Sequence, residues 1–163
     1  MTVFGGDIIY AADLNNLSQY VVKSANQPIA SSTTYQTDSE LVTPTLAIGT
    51  WHVELSMIAT SATPVKVKWV NTGTMANNRR VSGAGSSVTD NADNSTGKWA
   101  VSGFGTDVVY GYRAATAQFH IEEWAMLNVT VAGTITVNWG QNASSGTNTT
   151  ILAYSYWRLR QVA

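Results

Sequence analysis

Thr150-Ile151-Leu152-Ala153-Tyr154-Ser155-Tyr156-Trp157-Arg158-Leu159-Arg160, near the end of the chain, alternates along its whole length. Ile151, Ala153, Ser155, Trp157 and Leu159 fall on one side, and Leu152, Tyr154, Tyr156, Arg158 and Arg160 on the other. A repeat of two is that of a β-strand, whose successive side chains point to opposite faces. Thr134–Trp139 has the same period, with Ile135, Val137 and Trp139 in phase. Upstream, Phe119, Ile121, Ala125, Leu127, Val129 and Val131 also alternate, with Glu123 breaking the pattern. Ala132-Gly133 joins the last two runs, and a two-residue link containing Gly predicts a β-hairpin.

The same period reaches back through the chain. Trp51, Val53, Leu55 and Met57 share one face of Thr50–Met57, and Val65, Val67 and Trp69 alternate with Lys66 and Lys68. Shorter candidates are Thr33–Gln36, Glu40–Leu46, Trp99–Val101 and Asp107–Arg113. Roughly eight strands separated by polar turns predict an all-β antiparallel sandwich or jelly roll. The closing strand is apolar on both faces as far as Tyr156. Such a strand needs cover on its outer face, from another subunit or from a loop or helix of its own chain. Leu152, Tyr154, Tyr156 and Trp157 are therefore the candidate subunit interface.

Two regions depart from the two-residue period. From Ala11 to Val22, Leu14, Leu17 and Val21 recur at helical spacing, Asp13 suits a first turn, and Pro28 bars continuation. The expected division is an N-terminal arm and helix over residues 1–27 and a β-sandwich over residues 28–163. So short a helix must dock, on its own domain or on a partner. Phe4, Ile8, Ile9, Leu14, Leu17 and Val21 are the candidate anchor. The second region, Asn71–Lys98, carries Asn77-Asn78-Arg79-Arg80 and Gly83-Ala84-Gly85-Ser86 without clear periodicity. It reads as a long exposed or partner-contacting loop, the alternative being a surface loop hiding one irregular strand near Arg79–Val81.

Composition narrows the function. The chain has 163 residues, enough for one domain with a proper core. Only 12% of residues are charged, about half the usual share, and Ser, Thr, Asn and Gly take their place. A weakly charged surface is cheap to bury against neighbours because few ions must be desolvated. The net charge of −1 gives no general attraction to nucleic acid or anionic membrane, and neither partner is expected. The chain has no cysteine, so thiolate and disulfide chemistry are excluded. It has no apolar run long enough for a transmembrane helix and opens without a secretion-signal pattern, so synthesis in the cytoplasm is expected.

Catalytic groups are sparse. His52 and Glu54, and His120 and Glu122, share the polar faces of their strands, which suits a local charge pair better than a metal site lacking a third ligand. Glu122 and Glu123, being neighbours on a strand, must point oppositely. No nucleophile elbow, P-loop, dinucleotide fingerprint or zincin motif occurs. No enzyme activity, cofactor or metal is expected. Of the six tryptophans, Trp51, Trp69, Trp139 and Trp157 are in phase with core positions. Trp124 lies on a polar face and is a possible ligand contact, since exposed indoles stack on sugars.

Phe4-Gly5-Gly6-Asp7-Ile8-Ile9-Tyr10-Ala11-Ala12-Asp13-Leu14-Asn15 resembles the opening of many small bacteriophage virion proteins, although Tyr10 stands where a Thr cap is usual. Asp38-Ser39-Glu40-Leu41, Gly49-Thr50-Trp51-His52-Val53-Glu54, and Ala132 to Asn142 running into Ala153-Tyr154-Ser155-Tyr156 resemble surface proteins of actinobacterial viruses. The closing aromatic strand is also similar to the jelly roll of the C1q and tumour-necrosis-factor families. That resemblance implies a homotrimer on the virion surface, with the major capsid protein or tail proteins as partners. The chain lacks repeats, heptads and any collagen-like run, so a fibre shaft is not expected. A capsid decoration protein is the leading expectation, a minor tail or receptor-binding tip protein the next, and a carbohydrate-binding module the third.

Overall fold

The structure, a computed structural model, describes residues 18–86 and 97–162. Among the described residues, regular structure is all β: β1 (Gln19–Val22), β2 (Gln27–Ile29), β3 (Gln36–Val42), β4 (Gly49–Thr60), β5 (Val65–Asn71), β6 (Thr74–Ala76), β7 (Asn78–Ala84), β8 (Gly97–Gly103), β9 (Val108–Tyr110), β10 (Phe119–Val131), β11 (Ile135–Gln141), β12 (Thr149–Ile151) and β13 (Tyr156–Gln161). They form two antiparallel sheets. The larger runs β1-β13-β4-β10-β7-β8, with β12 joining β2 to β4 and β6 beside β10; the smaller runs β3-β11-β5-β9.

Alternation builds the core between the sheets. Trp51, Val53, Leu55, Met57 and Ala59 of β4 and Ile121, Ala125 and Leu127 of β10 point inward from the large sheet. Val65, Val67 and Trp69 of β5 and Ile135, Val137 and Trp139 of β11 meet them from the small one. Trp157 and Trp69 touch across the gap with ring centroids 4.8 Å apart, edge to face. The Trp157 indole N–H donates to the Leu41 carbonyl at 3.0 Å, so this large side chain is buried with its polar atom satisfied.

Four sequence expectations need correction. First, Ala132-Gly133 does not close a hairpin: β10 belongs to the large sheet and β11 to the small one. Both strands bury one apolar face, and crossing between sheets lets the two faces share a core. The crossing is tight: a Cβ on Gly133 would lie 2.2 Å from the Gly73 nitrogen, and one on Gly73 2.2 Å from the Val131 carbonyl. Gly73 sits in the parallel crossing from β5 to β6, so two corners pass each other where only glycine fits.

Second, Thr150–Arg160 is not one strand. Ile151 pairs with Ala59 and Tyr156 with Ser56, so the closing segment takes five steps where β4 takes three. The two extra residues are extruded at Leu152–Ser155, where the Ser155 hydroxyl accepts from the Ile58 N–H at 3.0 Å in place of a ladder bond. Two residues are one full period, which is why the alternation passes through the interruption undisturbed.

Third, Gln19–Val22 is a strand on β13, with Val21 opposite Trp157, where a helix was expected. A sheet edge with an inward apolar position overrides local helical spacing in so short a segment. The rest of that predicted helix lies outside the described residues. Fourth, Thr74–Ala76 and Asn78–Ala84 form β6 and β7 where a loop was expected, while β8 contains the expected strand Trp99–Val101 and begins two residues before it, at Gly97. Residues 87–96 lie outside the described residues. Arg79 occupies an inward position of β7, and that one charge hides the alternation.

Candidate functional site

Pairing registers place the outward side chains of the large sheet in straight rows. One row reads Val101, Arg80, Trp124, Glu54, Arg158 and Tyr20, from β8 through β7, β10, β4 and β13 to β1. The next reads Trp99, Ser82, Glu122, Ser56, Tyr156 and Val22. A sheet face carrying aromatics and arginines in register, bounded by two edge strands, is the candidate site. It has a charged middle and two different ends.

In the middle, Arg158 bridges Glu54 at 2.6 Å. His52 stands 6.2 Å from the Trp124 ring. Partial burial, then the Arg158 charge, hold its imidazole below the ordinary range, with Glu54 pulling the other way. His52 and Glu54 thus share a face as expected, but the carboxylate is committed to an arginine. His120 and Glu122 are exposed on the same side. Among the described residues, no three of His, Cys, Asp or Glu gather as metal ligands would.

The β1 end is an aromatic patch. Tyr20 is 57% exposed, Val22 50% and Tyr154 77%. Tyr20 and Tyr156 rings lie 5.8 Å apart. Tyr154, at the tip of the extruded residues, has φ of 68°, a left-handed conformation that costs a non-glycine residue roughly 1 kcal/mol. Its N–H donates to the Lys23 carbonyl at 2.8 Å, and the Lys23 N–H to Ser155 at 2.8 Å. Lys23 itself is buried. Its ammonium lies 3.0 Å from Asp38, a fully buried carboxylate on β3, and 3.2 Å from Glu40. Hydrogen bonds from Ser24, with smaller ones from Lys23 and Ala25, hold the Glu40 carboxyl down at about 2.

The β8 end is an indole groove. Trp99 is 84% exposed on the edge strand, and the Arg80 guanidinium lies 4.3 Å over the Trp124 ring. Hollows of about 440 Å³ and 250 Å³ flank the Arg80–Trp124 stack. Asn77, Asn78 and Met126 line the smaller one, and Trp99 and Ser82 the larger. Beneath it, Arg79 points inward, fully buried, and donates to Glu123 at 2.5 Å and to the Val67 and Thr106 carbonyls. Tyr110 donates to the other Glu123 oxygen at 2.7 Å. Burial raises the Glu123 carboxyl above its ordinary range, and Arg79 pulls it partly back.

Of the interface residues expected from sequence, Tyr156 and Tyr154 lie on the outward surface and Leu152 is half-buried at the extruded turn. Trp157 is a correction: it is fully buried against Trp69 because its side of β13 faces the core. Tyr20 and Val22 join the patch instead. Of the anchor residues, Val21 packs against the core from β1; Phe4, Ile8, Ile9, Leu14 and Leu17 lie outside the described residues. Trp124 does lie on the outward face. Its companions Arg80 and Trp99 were missed, although adjacent Arg79 and Arg80 on a strand had to point to opposite sides.

No protein-family model matches this chain, nor does any curated protein or solved structure.

Proposed function

We propose that this chain is a structural, non-enzymatic protein of a bacteriophage virion: a homotrimeric decoration protein that binds the capsid surface and stabilises it. The observation that carries this is the β1 end. Tyr20 and Val22 of the edge strand β1, Tyr156 of β13 and Tyr154 of the turn before it form an apolar patch that no other described residue covers, directly after the segment that holds the candidate anchor. Patches of that kind on a weakly charged domain mark association surfaces. A tyrosine kept in a strained conformation at the patch is consistent with selection for what it touches rather than for stability.

Strand order supports the jelly roll within this proposal. Lettered A to H, β1, β3, β4, β5, β9, β10, β11 and β13 give A-H-C-F in one sheet and B-G-D-E in the other. That is the order two nested Greek keys produce. The β7–β8 pair is then an addition on the F strand. The arm clamps the shell, three β-domains meet through the patch, and many small contacts across the lattice add up to stabilisation.

The second reading, a minor tail or receptor-binding tip protein, is favoured by the groove at the β8 end. Copy number per particle separates the two. Hundreds of copies, with particles lacking the protein losing resistance to heat or chelation, are the expected result. A few copies at one vertex or at the tail tip, with antibodies blocking adsorption, would replace decoration with the tail reading.

A further inference from the structure

We infer that the groove of β7, β8 and β10 binds an acidic oligosaccharide, with a ring stacked on Trp99 and a carboxylate at Arg80, whose guanidinium rests on Trp124. This concerns the groove alone and holds whether the chain decorates a shell or a tail. The assembly proposal stands on the opposite end of the sheet.

Trp99 projects from the edge strand opposite Ser82, and Trp124 projects two strands away opposite Arg80, on the same side of the sheet. Strand spacing and the two-residue offset put the two backbones roughly 12 Å apart along a diagonal. Between them lies the hollow of about 440 Å³; the one of about 250 Å³ lies on the other side of the Arg80–Trp124 stack, and both share Arg80, Val101 and Trp124. The span suits consecutive rings of a short oligosaccharide, and the size falls within the range of ligand sites.

The lining selects a sugar. An indole face attracts the polarised C–H groups of a pyranose ring, while hydroxyls need donors and acceptors at the rim. Asn78 and Ser82 offer such groups. Asn77 is already committed, donating to the Met126 carbonyl at 2.7 Å. Among the described residues Arg80 has no carboxylate partner. Its flat face rests on Trp124 at 4.3 Å, which fixes the fork while leaving its edge for a bidentate anion. Arg158, by contrast, is neutralised by Glu54 at 2.6 Å. A single-stranded nucleic acid would also stack on an indole, but it needs a line of cations along its backbone, and among the described residues this groove is lined by one cation, Arg80. A lipid chain would leave the amides and the guanidinium unused.

The test is titration of the full chain with 3′-sialyllactose, trigalacturonate and a hyaluronan hexasaccharide, with lactose and maltohexaose as uncharged comparators. Tryptophan fluorescence and calorimetry are read together. At least one acidic probe is expected to bind and to shift the emission. Trp99→Ala should weaken it about tenfold or more, the scale of losing one ring stacked on an aromatic, and Trp124→Ala should weaken it less, by releasing Arg80 from its support. Arg80→Gln should remove the preference for the acidic probe over its neutral comparator. Trp99 is almost fully exposed, so its loss leaves the fold intact. Failure of all three acidic probes at millimolar concentration, or binding indifferent to both tryptophans, overturns the inference. So does a change in sedimentation of the unliganded chain on Trp99→Ala, because a second copy would then be the occupant.

Discussion

The two ends of the large sheet solve the same mechanical problem with different cations. Each edge must be tied to the opposite sheet. At the β8 end Arg79 reaches from β7 to the Val67 carbonyl of β5, with Glu123 as its buried counter-ion. At the β1 end Lys23 reaches Asp38 on β3 and shares its charge with the partly exposed Glu40. A guanidinium cannot shed its proton, so its site must supply a permanent anion. The ammonium has two carboxylates, one of them near water, and backbone donors from Glu40 and Leu41 also hold Asp38 at 3.0 Å. The indole groove therefore rests on a rigid, all-or-none clamp, and the tyrosine patch on a graded one.

The largest effect should come from breaking the rigid clamp. Glu123→Gln strands a buried guanidinium and is expected to cost about 3–5 kcal/mol in denaturant unfolding. Arg79→Met should cost less at neutral pH, because burial already raises Glu123 and the carboxyl can take up a proton. That loss should grow as pH rises, since the lone carboxyl must then ionise in the core. Equal costs at all pH values would dissolve the contrast between the two clamps. Lys23→Met should cost roughly 1–3 kcal/mol, because Asp38 keeps its backbone donors.

A smaller effect separates stability from association. Tyr154→Gly relieves the left-handed strain and should raise stability by up to about 1 kcal/mol, while weakening self-association measured by light scattering. If both quantities moved together, Tyr154 would be a structural residue and the patch would lose a member. The smallest concerns acid. Glu40 is held at about 2 in the folded chain against an ordinary 4.5, so its contribution is complete above about 4.5 and lost as pH falls toward 2. Glu40→Gln should flatten the acid limb of the stability profile in that window and leave the neutral limb parallel to wild type.

The sequence made the class of fold legible because burial on one face writes itself as alternation, as in Thr50–Met57 and Phe119–Val131. It hid what alternation cannot record. A two-residue extrusion at Leu152–Ser155 preserves phase, so one strand was read where there are two. Ala132-Gly133 looks like a hairpin because the residues on either side have the same period whether the strands pair or face each other across a core. Arg79 and Glu123 broke the pattern because they satisfy each other, a fact no single strand contains. Trp124 could be placed on an outward face, but Trp99 and Arg80 join it only through the registers of β7 with β8 and β10.

Sedimentation of the full chain at micromolar concentration decides whether the chain assembles through the β1 end and leaves the β8 end free to bind. The expected result is a trimer that Tyr20→Ser combined with Tyr156→Ser reduces to monomer and that Trp99→Ala leaves intact. A monomeric wild type, or a trimer dissolved by Trp99→Ala and indifferent to the tyrosines, would contradict it.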